Sequence, residues 1–345
     1  MLKLFLLFIT VIYFSCGYTM ENEHAFVFLA YIPDSYQCSI ASQDLKRGIY
    51  VDELTIDFSL SNSYTKKRLY YMPTSDSTYT REIHNQMIFA WGNYNETFSL
   101  ASLNFLSMYH PDQIYQIHSN DIRGVAAKNN SLLFFTNREP PKLFSYNFND
   151  KRVVAAEIGE YSTNAENVGV KITESGSVFL RGTGLENIQL PFRIPENFIK
   201  KYSINCNVVW TLFSNRKNHI VIFAIEDNKK NIIIGNHSPN QWHYFSIDSQ
   251  YIDTKLFDNY LVFQTLSGIE SGRCIYIYNI DTNEHLQLVL PPFSRVVYFS
   301  SQYIIIAQPY RLLIAELNDG KFSPIHSIDF ETAWYIKMVL HRKIK

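Results

Sequence analysis

Along most of the chain, apolar residues alternate with polar ones or gather in short runs, and Asn, Asp, Gly, Ser or Pro punctuates nearly every interval. A period of two is the mark of half-buried strands, whereas a helix needs apolar positions three and four apart. No stretch keeps that helical spacing for more than about ten residues, so long helices are not expected. The pattern is clearest from Tyr260 to Leu290: YLVFQTL, a turn through Ser267 to Gly272, CIYIYN, the turn IDTN, then EHLQLVL. It reads as three short strands joined by two hairpins.

Variants of this unit recur from end to end. AFVFLAYI from Ala25 precedes a hairpin of Cys38–Gln43 and Gly48–Val51, and MIFAW from Met87 precedes TFSLAS and QIYQI. LLFFT from Leu132, KLFSYN and RVVAAEI form a third; VGVKI from Val168, SVFLRG and ENIQL a fourth. HIVIFAI from His219, NIIIGN and QWHYFSI form the fifth. After the opening stretch, YIIIAQ from Tyr303, RLLIAEL and a strand near Pro324–Ile328 form the seventh. Hairpins starting at 38, 97, 142, 177, 231, 274 and 311 are spaced by about 46 residues on average, the period of a propeller blade. A blade needs four strands. ELTIDF from Glu53, IRGVAA from Ile122, NVVWTLF from Asn207 and RVVYF from Arg295 are the candidates for the fourth.

The expectation is therefore an all-β chain, with residues 18–345 forming one β-propeller of seven blades, six or eight being the alternatives. One such sheet cannot bury both faces alone, while sheets stacked radially bury each face against the next. The apolar run Ala333–Leu340 then completes the blade that the N-terminal segment begins, closing the ring. A pair of β-sandwich domains is the rival, although sandwiches show turn signals without a supra-repeat of this length. The segment IYIYNIDTNEHLQL resembles the inner hairpin of many β-propeller families. The Trp-Asp ending of WD40 units and the paired Gly of kelch units are both missing, so neither family is indicated.

Composition supports a packed core: hydrophobic residues make up 46% and aromatics 15%, with 25 Phe and 24 Tyr. The net charge of −1 comes from interspersed charges, which argues against nucleic acid as a partner. The clusters Lys66–Arg68 and His341, Arg342, Lys343, Lys345 read as solvated positions. Residues 1–17 differ in kind. Lys3, the apolar run Leu4–Phe14 and small Ser15 and Gly17 have the layout of a secretory signal, and the run is too short to span a bilayer. Cleavage after Gly17 and processing before Cys16 both fit. Phe14–Gly17 resembles the lipobox of bacterial lipoproteins, with Tyr13 where that box usually carries an aliphatic residue; the resemblance implies a lipid on Cys16 and export to a cell envelope. Membrane contact is expected only through such a lipid.

Chemical motifs are few. There is no GxSxG elbow, HExxH or Walker loop, and Gly182-Thr183-Gly184 lacks the third glycine of a dinucleotide loop. Cys38, Cys206 and Cys274 have no CxxC neighbour, and read as separate thiols. His110 and His118, and His237 and His243, are taken to flank two turns, and a metal would need a third ligand from elsewhere. No cofactor or metal site is indicated. Asp76, Asp121, Asp227, Asp281 and Asp319 read as turn residues. Asn95 and Asn129 stand in glycan sequons, and Asn236 in a third weakened by Pro239. Two classes of function remain. One is an exported monomeric binding module that holds a protein, peptide or glycan on a loop face, with Trp91, Trp242 and Trp334 as candidate aromatic anchors. The other is a hydrolase or lyase at the central channel, for which no catalytic residue can be named.

Overall fold

A computed structural model describes residues 23–33, 45–58, 63–74, 79–84, 87–93, 100–128, 131–136, 142–157, 165–181, 188–216, 219–236, 241–248, 251–265, 272–318 and 321–344. In chain order the strands are β1 (Glu23–Ile32), β2 (Gly48–Asp57) and β3 (Tyr64–Met72); then β4 (Tyr79–Ile83), β5 (Ile88–Gly92), β6 (Leu100–Ser107) and β7 (His110–Lys128). β8 (Ser131–Thr136), β9 (Leu143–Asn147) and β10 (Arg152–Ala155) follow, then β11 (Val168–Ile172), β12 (Ser177–Leu180), β13 (Gln189–Arg193) and the one described helix, α1 (Glu196–Lys201). β14 (Trp210–Arg216), β15 (His219–Glu226), β16 (Lys229–Asn236) and β17 (Gln241–Asp248) come next, then β18 (Tyr251–Phe257), β19 (Tyr260–Thr265), β20 (Cys274–Asn279) and β21 (His285–Val289). β22 (Arg295–Phe299), β23 (Tyr303–Gln308), β24 (Arg311–Asn318), β25 (Lys321–Asp329) and β26 (Ile336–Lys343) end the chain.

These strands pair antiparallel with their sequence neighbours, meander after meander. β7 serves two meanders: its first half pairs with β6 and its second with β8. β11–β13 and β14–β17 are likewise joined, through Val168↔Leu212 and Val170↔Trp210. β26 lies against β1, so the order β26-β1-β2-β3 completes the first meander with the last strand. Meanders of three or four strands in succession, one of them completed from the other end of the chain, are the construction of a β-propeller. The all-β fold and the terminal strand pairing are thus as the pattern predicts.

The chain divides into two compact units, Met1–Ser75 with Arg295–Lys345, and Asp76–Ser294. In the first, Phe26, Phe28, Leu54, Ile305, Ile314 and Phe330 centre the core. In the second, separate cores form around Trp210, around Phe105 and around Phe263. Inner strands are covered on both faces and so carry continuous aliphatic runs: nine of the ten residues of β1 are buried. Outer strands are more exposed, and all four residues of β10, Arg152–Ala155, face solvent. The β15–β16 hairpin turns at Asp227 and Asn228, with φ of 47° and 59°, the two left-handed residues of a I′ turn.

Several expectations are corrected. ELTIDF is no fourth strand but the continuation of β2, and IRGVAA is the second half of β7. β3, β4 and β18 are additional strands. Ala333–Tyr335 forms a 3-10 turn, so the closing strand starts at Ile336. Arg68 is not merely solvated: it donates to both oxygens of the buried Asp52 carboxylate at 2.7 and 3.0 Å, and its guanidinium lies over Tyr50. Lys66 pairs with Glu331 at 2.5 Å. The segments holding residues 1–22, Cys38, Asp76, Asn95, Asn129, Gly182, Gly184, His237, Ser271 and Asp319 lie outside the described residues.

Candidate functional site

The three tryptophans marked as aromatic anchors occupy different surroundings. Trp91 on β5 is only 3% exposed and stacks near Phe89. Trp334, in the 3-10 turn, is half-buried on the first unit's core, with the Arg295 guanidinium 5.6 Å from its ring centre. Trp242 is half-buried on β17, on a core that the partly buried rings of Tyr202 and Tyr244 also cover.

That neighbourhood is built by a strand and a short helix. On β17 the side chains alternate: Trp242 and Tyr244 point one way, while Phe245 points the other and lies 4.5 Å from Tyr278. Trp242 and Tyr244 face α1, which has Glu196 in its first turn and Lys200 and Lys201 in its last, as the helix dipole favours. Phe198 and Ile199 turn inward from the helix. Tyr202 follows it as the C-cap residue. The ring centres of Tyr202 and Tyr244 are 5.1 Å apart, those of Phe198 and Tyr202 4.8 Å, and those of Phe198 and Trp242 6.3 Å. Phe192 of β13 adds a ring 6.4 Å from Trp242.

Gly235 fixes the lie of the indole. It pairs with Trp242 across the β16–β17 ladder, and a β-carbon there would come within 2.4 Å of the indole ring. Only glycine lets the ring lie flat across the neighbouring strand.

A polar rim surrounds the rings. Lys201 Nζ sits 4.9 Å from the Tyr202 ring centre, a distance suited to cation–π attraction. Asn205 donates through Nδ2 to the Glu226 carboxylate at 2.6 Å, and its backbone carbonyl accepts the Trp210 indole N–H at 3.0 Å. Burial pushes the Tyr244 phenol above its ordinary pKa, and the nearby Glu226 carboxylate adds to the shift. The rings thus offer flat apolar faces with donors and acceptors at their edge. This equips the patch for stacking and hydrogen bonding.

Among the described residues the remaining candidates do not converge. His110 and His118 lie on the single strand β7, about 26 Å apart at the ordinary strand rise, rather than across a turn. His243 is half-buried on β17. Cys206 and Cys274 are free thiols, and burial raises the pKa of Cys206. Asp227 and Asp281 occupy turns; the amide of Asp281 is bound by Asn279 Oδ1 at 3.0 Å. Among the described residues no group of three His, Cys, Asp or Glu side chains is placed to hold a metal, and no helix is long and apolar enough to cross a membrane.

Two features escaped the sequence. Tyr202 follows a helix of only six residues, too short to show a periodic signal. Lys230, beside a turn, points into the core: it is 1% exposed, donates to the Thr254 hydroxyl, and has its ammonium 4.3 Å from the Phe223 ring centre and 5.5 Å from that of Phe263. Burial pushes its pKa down to about 8, against the opposing pull of Asp253. The buried Gln264 and Arg273 belong to the same neighbourhood, with Gln264 donating to Asp253 at 3.2 Å and Asp253 favouring the charged form of Arg273.

No protein-family model and no curated protein matches the sequence. Among solved structures, AztD from Citrobacter koseri is similar over 93% of this chain and 98% of its own, at 10% identity and a TM-score of 0.47. A chain of the nidogen/laminin complex is similar over 92% and 98%, at 7% identity and a TM-score of 0.43. The β-propeller domain of the trilobed protease from Pyrococcus furiosus is similar over 93% and 96%, at 10% identity and a TM-score of 0.38.

Proposed function

We propose that this chain is an exported binding module that holds a protein or peptide partner against the Trp242–Tyr244–Tyr202 face. The carrying observation is the cluster of half-buried rings itself: aromatic side chains fixed on a rigid strand and rimmed by Lys201, Glu226 and Asn205 have the make-up of an interaction hot spot. Rings already locked by Gly235 and α1 lose little freedom when a partner stacks on them. Export rests on the N-terminal pattern, with signal cleavage after Gly17 or lipid attachment at Cys16. Mass spectrometry of the mature N-terminus distinguishes the two, and an intact Met1 rules out both.

Binding is tested by screening the purified chain against a displayed random-peptide library and, in parallel, a glycan array, each with wild type and with Trp242→Ala/Tyr244→Ala. The expected result is peptide hits whose affinity falls at least about tenfold in the double variant, the loss of roughly 1.4 kcal/mol that one hot-spot ring supplies. Hits confined to glycans overturn the partner class. Peptide hits indifferent to both substitutions overturn the face.

A further inference from the structure

We propose that His24 and His341 form an acid-released latch on the seam between β1 and β26, where the two ends of the described chain meet. His24 Nδ1 and His341 Nε2 lie 2.9 Å apart, with ring planes 13° from parallel and a sequence separation of 317. The Tyr298 hydroxyl on β22 lies 3.3 Å from the other ring nitrogen of His341. A hydrogen bond between two imidazole nitrogens requires one of them to be bare. With both rings neutral, or with one of them protonated, a single N–H bridges the gap. With both protonated, two N–H groups and two positive charges confront each other and the bond is lost.

The surroundings make this contact consequential. His24 is 8% exposed, and the His341 ring stacks on Phe26, its register partner across the seam, at 4.7 Å. Phe58 and Tyr303 close over His24 at 4.8 and 5.7 Å. A third imidazole, His326 of β25, adjoins the same nest 5.8 Å from Phe58. It is 4% exposed with Nδ1 unpartnered, and burial holds its pKa low against the pull of Asp57.

The charged and titratable groups around the pair come from every packed element. Tyr298 lies on β22 and His326 on β25. Tyr303 lies on β23, its phenol pushed up by burial and by Glu316 of β24. Asp57 ends β2 opposite Glu23 of β1, and β26 itself carries Arg342. Closing the seam therefore disfavours the second proton on the His24–His341 pair, and opening it releases both rings to water. The open state binds more protons, so acid favours opening, by about tenfold per pH unit for each proton taken up.

The test is hydrogen exchange of the full chain read by mass spectrometry, corrected for the intrinsic pH dependence of exchange, from about pH 7.5 to about pH 5. The expected result is that protection of Ile336–Lys343 falls about tenfold per pH unit over part of that range while protection of Lys229–Asn236 stays flat. In His341→Gln, whose amide can still bond His24 but takes no proton, the slope at Ile336–Lys343 should fall clearly below the wild-type slope, leaving only what His24 and His326 supply. Flat protection of Ile336–Lys343 in the wild type, or a fall shared equally by Lys229–Asn236, overturns the latch, and so does a His341→Gln protein that keeps the wild-type slope. The wild-type arm decides alone if the variant does not fold.

Discussion

Lys230→Met tests the energetics of the second unit's core. The lysine carries a charge into a site lined by Phe223 and Phe263 beside Ile232 and Ile234, and burial lowers its pKa from the ordinary 10.5 to about 8. For a base whose folded pKa is depressed, both states hold the proton below pH 8, so the cost of burying the charge is present throughout that range. Between about 8 and 10.5 the unfolded chain keeps the proton while the native chain releases it, and stability rises with pH. At about 1.4 kcal/mol per unit, the gap of roughly 2.5 units corresponds to about 3 kcal/mol, about 2 of which accrue by pH 9.5. Above pH 10 the tyrosines intrude. Burial raises Tyr50 to about 12 and lifts Tyr278 and Tyr276 as well, so the native state holds phenol protons that the unfolded chain loses, and stability falls. The informative window is therefore about pH 7.5 to 9.5. Urea unfolding followed by tryptophan fluorescence, with wild type and Lys230→Met compared at each pH, cancels the tyrosines and Cys206, which both proteins share. Methionine fills the site without a charge, so the variant should equal or exceed wild type by about 1 to 3 kcal/mol at pH 7.5, and the difference should shrink by about 2 kcal/mol by pH 9.5. Parallel curves across the window would refute the reasoning, because a lysine that stays charged contributes no such slope.

Other substitutions probe separate joints. Arg68→Ala leaves the Asp52 carboxylate, 1% exposed, without its bidentate partner, and should cost about 2 kcal/mol in urea denaturation, the arginine's own partial exposure holding the loss below that of a fully buried pair. Asp52→Asn/Arg68→Gln, which removes both charges, should recover at least half of that loss. Gly235→Ala forces the Trp242 indole aside, so the folded protein should lose about 1 to 3 kcal/mol and show red-shifted tryptophan emission; an unchanged spectrum would mean the ring does not lie on that glycine.

The strand architecture was legible where covering is two-sided. Ile232–Ile234, Ile304–Ile306 and Phe26–Leu29 are buried on both faces, and their aliphatic runs announce inner strands directly. β3 was not legible, because its edge position lets it carry Lys66, Lys67 and Arg68, and a polar strand looks like a loop in sequence. β7 read as two strands because it does two jobs along one length. The site was only partly legible. Trp242 could be marked as an aromatic with an exposed role, but its partners Phe198 and Tyr202 lie some forty residues earlier on an element too short for a pattern. Lys230 was hidden by its place beside a turn, and the His24–His341 pair by sequence distance, since nothing local marks two histidines as neighbours before the strand pairing is known.

That the two ends of the chain share one sheet is the claim on which the rest depends. Removing Ala333–Lys345 takes β26 from β1 and strips Ile336, Met338 and Leu340, all buried, from the first unit. At roughly 1.5 to 3 kcal/mol for each buried side chain, the loss is about 5 to 9 kcal/mol, comparable to the whole stability of an ordinary domain. Calorimetry of the truncated chain should show the cooperative transition of the first unit abolished. A truncated protein that melts as the full chain does would contradict the pairing.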